Sequence, residues 1–381
     1  RFGIGYAATI TNTLEYSFSI ADAHNFVILA GHEGVANQTD QFSASSAGFT
    51  DDRLMNLQDG KQDQFSVSEG FSQSRFLSFF GRLDYSILDK YFFDASVRND
   101  ACSRFGANNR NATFWAAGAM WKIKGEDFLY GVSAVNDLNL KVSYGTQGNA
   151  SIGDYQHLGL ISGSSKYMDT SVKVLSQPAN PGLTWEQQAL FTVGVNGRFF
   201  NMLDVNVEFY TRTTTDMLMD VPYNYTTGFS SLKANVGSLS NKGVDVTLGV
   251  DILRGKDYWL RASTTFNYNA EKVTGLFNGL DRWEMTGYGL AYVVGKPVMF
   301  YAPIYAGIDP ADGAPMWYLP GENVDETTMK ETTKEFDEAS LTQNTGLRYT
   351  PPIYGGFSIG GGWRGISVQA DFSYVLGKTL I

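Results

Sequence analysis

The feature that most constrains this chain is a two-residue alternation of apolar and polar side chains. It recurs in stretches near the ~9–11 residues that a tilted strand needs to cross a bilayer. Between Phe76 and Ile87, one alternant is Leu77, Phe79, Gly81, Leu83, Tyr85 and Ile87, and the other holds Ser78, Arg82, Asp84 and Ser86. After a turn at 88–90 the pattern resumes, with Tyr91, Phe93, Ala95 and Val97 opposite Asp94, Ser96, Arg98 and Asp100. Leu138–Tyr144, Leu203–Phe209, Tyr258–Tyr268 and Ile366–Tyr374 read the same way. About twelve such strands are predicted, starting near Ala8.

Charges in these strands sit almost wholly on the polar alternant. A charge facing lipid at the midplane costs roughly 2–4 kcal/mol, whereas one facing a watery lumen costs little. Periodicity alone does not separate a membrane barrel from a soluble sandwich, because each has one apolar and one polar face. The connections help. Those at 21–25, 88–90, 199–202, 253–257 and 364–365 are short, and 124–137 is somewhat longer. Those at 36–74, 148–187, 214–242 and 270–354 are long. Outer-membrane barrels pair short periplasmic turns with long outer loops. Aromatics near the short turns (Tyr91, Phe92, Phe93, Phe199, Phe200, Tyr258, Trp259 and Trp363) fit an interfacial girdle.

Composition agrees and excludes other classes. Aromatic residues make up 14% of the 381, with 41 Gly and only 10 Pro, which favours strands joined by tight turns. No apolar run is long enough for a transmembrane helix. The net charge is −10, with no Lys/Arg cluster, so nucleic acid is not an expected partner. Cys102 is alone, and His24, His32 and His157 fit no zinc spacing, so neither an internal disulfide nor a metal site is expected. The glycines at 355–356 and 360–362 match no nucleotide loop. The segment Asp309-Pro310-Ala311-Asp312-Gly313 lacks the twelve-residue calcium pattern and reads as a turn.

Several blocks carry a family resemblance. The stretch FFGRLDYSILDKYFFDASVRNDACSRFG at 79–106 resembles the barrel signature of SusC- and RagA-type TonB-dependent outer-membrane transporters of Bacteroidota. Further matching blocks follow in order: LKVSYGTQGN at 140–149, NPGLTWE at 180–186, EFYTRTTTDML at 208–218, NVGSLSNKGVD at 235–245, YAGIDPADG at 305–313 and PPIYGGFS at 351–358. The resemblance implies an all-β fold, a transmembrane antiparallel β-barrel, in which residues 1–381 are part of one barrel domain. The whole would be a plugged barrel of about 22 strands. The plug, the early strands and the last strands would then lie outside this sequence, and a self-contained twelve-stranded barrel is the alternative.

By the same resemblance the expected function is TonB-dependent import of an oligosaccharide or oligopeptide across the outer membrane. A SusD-like surface lipoprotein would cap the barrel, and the TonB complex would act through the plug. No catalysis and no cofactor are expected. A passive porin or surface adhesin barrel is the competing reading, and a soluble β-rich binding protein is a third. Candidate ligand contacts are the loop aromatics Trp185, Tyr223, Tyr225, Trp283, Tyr288, Tyr301, Tyr305, Trp317 and Tyr318, because flat rings can stack on sugar faces or hold peptide side chains. The apolar alternant, including Leu83, Val97, Leu140, Val142, Val207 and Leu260, is expected to face lipid.

Overall fold

The computed structural model describes residues 1–379 except 169 and 286–288, with backbone alone at 164–167, 171 and 225. Twelve strands form one antiparallel sheet in which each pairs with the next. They are β1 (Phe2–Ile20), β2 (His24–Ser45), β3 (Ser66–Ile87), β4 (Tyr91–Cys102), β5 (Asn111–Lys122) and β6 (Val135–Asn149). The sheet continues with β7 (Glu186–Phe199), β8 (Leu203–Thr215), β9 (Ser238–Arg254), β10 (Tyr258–Gly275), β11 (Ile353–Trp363) and β12 (Ile366–Leu376). Among the described residues β1 pairs only with β2, and β12 only with β11. The twelve strands therefore do not close on one another in this structure.

The register carries the alternation across the sheet. Ile28 faces Leu83, Leu83 faces Ala95, Val97 faces Trp115, and Val142 faces Val193. Further on, Val195 faces Val207, Val207 faces Val246, and Val246 faces Phe266. One face of the wall is thus mainly apolar, interrupted by a polar row in which Asn12 bonds His32 and Asn99 bonds Thr113 on either side of Phe79. Because side chains alternate strictly, the other face collects Glu33, Arg82, Asp84, Asp94, Arg98, Asp204, Glu208, Asp245, Arg261 and Asp371. Leu83, Val97, Leu140 and Val142 are exposed on the apolar face, and only fourteen hydrophobic residues are buried among those described. A soluble domain of this size would enclose a large core. Here the apolar surface points outward, as a lipid-facing wall requires.

Short turns gather at one end. Ala21 and Asp22, Leu88 and Asp89, and Phe200 and Asn201 have paired positive φ angles, as in type I′ turns, whose twist matches the strands they join. The link after β5 holds one helical turn (Asp127–Tyr130). Glu126 ties that link to β4 and β5, accepting from Tyr91 Oη at 2.7 Å and Trp121 Nε1 at 3.0 Å.

Two expectations need correction. Only about half of the segment 36–74 is loop: β2 and β3 are 22 residues each and stay paired from His24–Ile87 to Ser45–Ser66, leaving 46–65 as the connection. The polar run NQTDQFSAS at 37–45 lacks an apolar face because that part of the hairpin stands beyond the apolar band. There, backbone pairing holds without one. Secondly, Phe92 and Trp259 do not belong to an outer girdle. Phe92 shares the alternant of Asp94 and Arg98. The Trp259 ring lies over the inward sides of Gly360 and Gly362, at 3.3 Å from where a Cβ on Gly360 would sit. The glycine run of β11 leaves room for that indole.

Candidate functional site

The site is built from two things, the inward face of the wall and the loops at its far end. On the inward face near the short turns, Arg198 of β7 meets Asp204 of β8 at 2.9 Å and Asp251 of β9 at 2.6 Å. Arg261 of β10 meets the same two carboxylates at 2.9 Å each. Two cations and two anions close a ring across four strands, so this stretch of lumen wall is polar without local net charge. Arg98 joins Glu33 and Asp100 in a similar bridge on the other half of the sheet.

Higher on the inward face lies a polar pocket of about 270 Å³. It is lined by Glu208, Tyr210 and Arg212 of β8, Asn241 and Asp245 of β9, Asn267 and Asn269 of β10, and Tyr354 of β11. Tyr210 Oη donates to Asn269 Oδ1 at 3.3 Å, and Asn269 Nδ2 donates to Asn241 at 3.2 Å. Asn267 donates to Asp245 through its nitrogen, while its buried Oδ1 has no partner among the described residues. Amide, phenol, carboxylate and guanidinium groups converge here, bringing donors and acceptors of both charge signs together. The alternation puts Glu208 and Asn267 on the polar side of expected strands, whereas Asn241 and Tyr354 fall in segments expected to be connections. For the first two, that shared alternant was the available signal.

At the rim, the blocks that carried the family resemblance form a clasp. Arg104 Nε pairs with Asp154 at 2.7 Å, and its guanidinium lies 5.8 Å from the Phe76 ring centroid. Asp154 also accepts from Ser72. Burial would raise the Asp154 pKa, yet Ser72 and Arg104 outweigh it and hold the carboxyl below the usual aspartate range. Phe105 and Leu183 are fully buried, and Gly106 packs so closely on the Pro181 carbonyl that no Cβ fits. Trp185, only 4% exposed, packs against Phe105, Phe114 and Phe76, and its indole donates to the Arg110 carbonyl at 2.9 Å. Asn235 clamps the Thr184 backbone from both sides, at 2.8 and 2.7 Å.

The excursion 276–352 folds differently. Arg282–Met285, Leu290–Val293, Met299–Ala302 and Gln343–Arg348 form a four-stranded sheet. It docks on the top of β10 through Val273, Leu290 and Val298. Tyr305–Ile308, Pro315–Tyr318 and Thr332–Thr333 form a three-stranded sheet beyond it. The turn 309–313 carries Lys334, whose Nζ lies 2.5 Å from Asp309 and 2.8 Å from Asp312. That ammonium holds both carboxyls below the usual aspartate range.

The predicted loop aromatics therefore separate. Trp185 is enclosed, and Tyr301 is 3% exposed with Oη donating to Asp325 at 2.6 Å; burial and that bond push its phenol pKa up. Neither ring has a face free in this conformation. Trp283 stacks on Tyr292 and meets Phe277 edge-on. Tyr305 and Phe336, 56% and 57% exposed, flank the half-buried Trp317 in an outer cluster. Tyr318 is half-buried on the same small sheet, and Tyr223 is exposed beside the separate hairpin of Leu218–Pro222 and Ser231–Asn235. Tyr288 and the Tyr225 side chain lie outside the described residues. No group of His, Cys, Asp and Glu suited to a metal ion occurs among the described residues.

A meander with an apolar outer face, a charged inner face and its long loops at one end defines the wall of an outer-membrane β-barrel. The chain belongs to the TonB dependent receptor-like β-barrel family, whose profile matches residues 4–378. It is 29% identical over 308 residues to TonB-dependent receptor P26 of Formosa agariphila, covering 78% of this chain and 31% of that protein. It is 32% identical over 219 residues to TonB-dependent receptor SusC of Bacteroides thetaiotaomicron, covering 55% and 22% respectively. A solved structure of the RagAB peptide transporter superposes with a TM-score of 0.91 at 42% identity, over 99% of this chain and 42% of that one. The chain thus spans about a third or less of these curated relatives.

Proposed function

We propose that this chain forms part of the wall and the loop crown of a TonB-dependent importer that takes oligopeptides across the outer membrane. The observation that carries this is the 42% identity, along almost the whole chain, to the RagAB peptide transporter. The lumenal pocket supports it. Glu208, Arg212 and Asp245 offer both charge signs, and the asparagines offer the paired donors and acceptors that a peptide backbone needs. An oligosaccharide is the second reading, favoured by the outer Tyr305–Trp317–Phe336 cluster, since exposed rings suit sugar faces.

In this proposal the rest of the wall, to about 22 strands, and a plug lie outside the sequence, and strands beyond β1 and β12 pair with their open edges. An unpaired edge in hydrocarbon costs several kcal/mol per backbone group, which supports that completion. A SusD-like lipoprotein would cover the loops, and TonB would act on the plug. The test is mass spectrometry of ligands co-purifying with the full-length receptor, with uptake assays in cells with and without TonB. Peptides retained and TonB-dependent uptake are expected. Retained glycans would move the assignment to the second reading. Uptake indifferent to TonB would replace it with a passive porin.

A further inference from the structure

A groove of about 570 Å³ runs across the outer, lipid-facing side of β1 to β4, near the loop end. Its floor is made of small residues on the outer alternant, Ala8, Gly34, Ala36 and Ala101, between the larger Tyr6 and Leu77. Elsewhere that face carries bulky side chains such as Leu14, Tyr16, Phe79 and Leu83. Arg75 and Arg110 line the same groove and are exposed. Neither guanidinium has an ion pair or hydrogen bond within the described residues, in a chain whose net charge is −10. Most other arginines of the wall are paired with carboxylates.

Height along the barrel fixes what these groups meet. Leu77 lies about ten residues above the turn at Leu88. At a rise of ~3.3 Å and a tilt near 40°, that is about 25 Å, the height of the apolar band of such barrels. The groove therefore sits in the upper part of the outer leaflet, and Arg75 lies at its upper end, at the level of lipid head groups. The floor runs opposite Arg75 at Ala36 and Ala8 and one residue pair below it at Gly34 and Ala101, so apolar surface lies beside and just under the unpaired arginines, as the first methylenes of an acyl chain lie beside a phosphate. Arginine is the side chain best suited to phosphate oxygens.

We propose that this groove is a binding site for one anionic, phosphate-headed lipid of the outer leaflet, its acyl chain lying over Ala8, Gly34, Ala36 and Ala101 and its phosphate held by Arg75 and Arg110. The site lies on the opposite face of the wall from the lumenal pocket, so it stands whether or not the import reading does.

The experiment uses the full-length receptor in nanodiscs of phosphatidylcholine doped with either phosphatidylglycerol or lipid A. Native mass spectrometry then counts the lipids that survive gentle delipidation. The wild-type protein should keep one anionic lipid in at least one doped disc. The double variant R75Q/R110Q should lower its occupancy about tenfold or more, since charge-assisted bonds to phosphate are among the stronger ones. G34L tests the channel separately. A Cβ at Gly34 meets nothing within 4 Å, so the variant should fold with an unchanged melting temperature while filling the floor. It should displace the same lipid. Retention unchanged in both variants, equal retention of phosphatidylcholine, or full displacement by inorganic phosphate would overturn the proposal. So would finding the groove covered by a second copy of the receptor with no lipid between.

Discussion

The loop 150–185 and the excursion 276–352 leave the same rim and are held there by different physics. The first is stitched to the wall by a buried aromatic core and a shielded ion pair, with Trp185, Phe105, Leu183 and Arg104–Asp154 in contact with β3 to β5. The second docks only its base on β10. Beyond that it makes small sheets of its own, tied by polar links such as Lys334 to Asp309 and Asp312, and it turns Tyr305 and Phe336 outward around a half-buried Trp317. Two tryptophans that look alike in sequence are thus an enclosed rivet in one loop and a half-buried ring between two exposed ones in the other. A ligand-facing role requires a free ring, so aromatic content alone does not locate binding.

The largest expected contrast comes from truncating those two tryptophans. Trp185→Ala should cost about 3–5 kcal/mol, as large aromatic cavities do, and open 150–185 to proteases. Trp317→Ala should cost only about 0.5–1.5 kcal/mol, the worth of its ring contacts, while weakening retention of co-purified ligand. Thermal unfolding in detergent with limited proteolysis reads both. Similar losses for the two would break the comparison.

Gly106→Ala comes next. The new Cβ would strike the Pro181 carbonyl, a backbone atom that cannot swing away, at roughly 1–3 kcal/mol. A wild-type melting curve and an unchanged proteolytic pattern at 150–185 would contradict the clasp.

Asp154→Asn should cost about 1.5–3 kcal/mol, because Arg104 loses a charged, mostly buried partner. The same pair gives a pH signature. The folded-state pKa of Asp154 lies below its ordinary value near 3.8. Its contribution is therefore complete above that value and is lost as pH falls through the lower, folded one. Hydrogen exchange in 150–158 should rise below about pH 3.8 in the wild type and be already raised at neutral pH in the variant.

The smallest effect is expected at Lys334→Gln. The melting temperature should not move, and only the turn 309–313 should exchange faster. A global loss of stability there would show that the excursion is bound as tightly as the clasp.

Much of the fold was legible. Alternation identified the twelve strands, their two faces and the end at which the short turns lie, because a strand's side chains obey a period of two wherever one face is apolar. The hairpin extension of β2 and β3 was not legible. Outside the bilayer both of its faces meet water, and the apolar half of the signal vanishes. Phe92 and Trp259 were misplaced because closeness to a turn was given weight over the alternant each occupied.

What the sequence determined by itself is the wall, a local property repeated along the chain and reinforced by the cost of charge in lipid. What only the tertiary structure decided is the fate of the loop aromatics and the gathering of Glu208, Arg212, Asp245 and Asn267 into one pocket. Those residues come together from strands that are neighbours in the sheet but up to about sixty positions apart in sequence. Whether Trp185 or Trp317 is enclosed depends on which other segment lies across it. Neither is written in the residues on either side, since burial is a relation between distant parts of the chain.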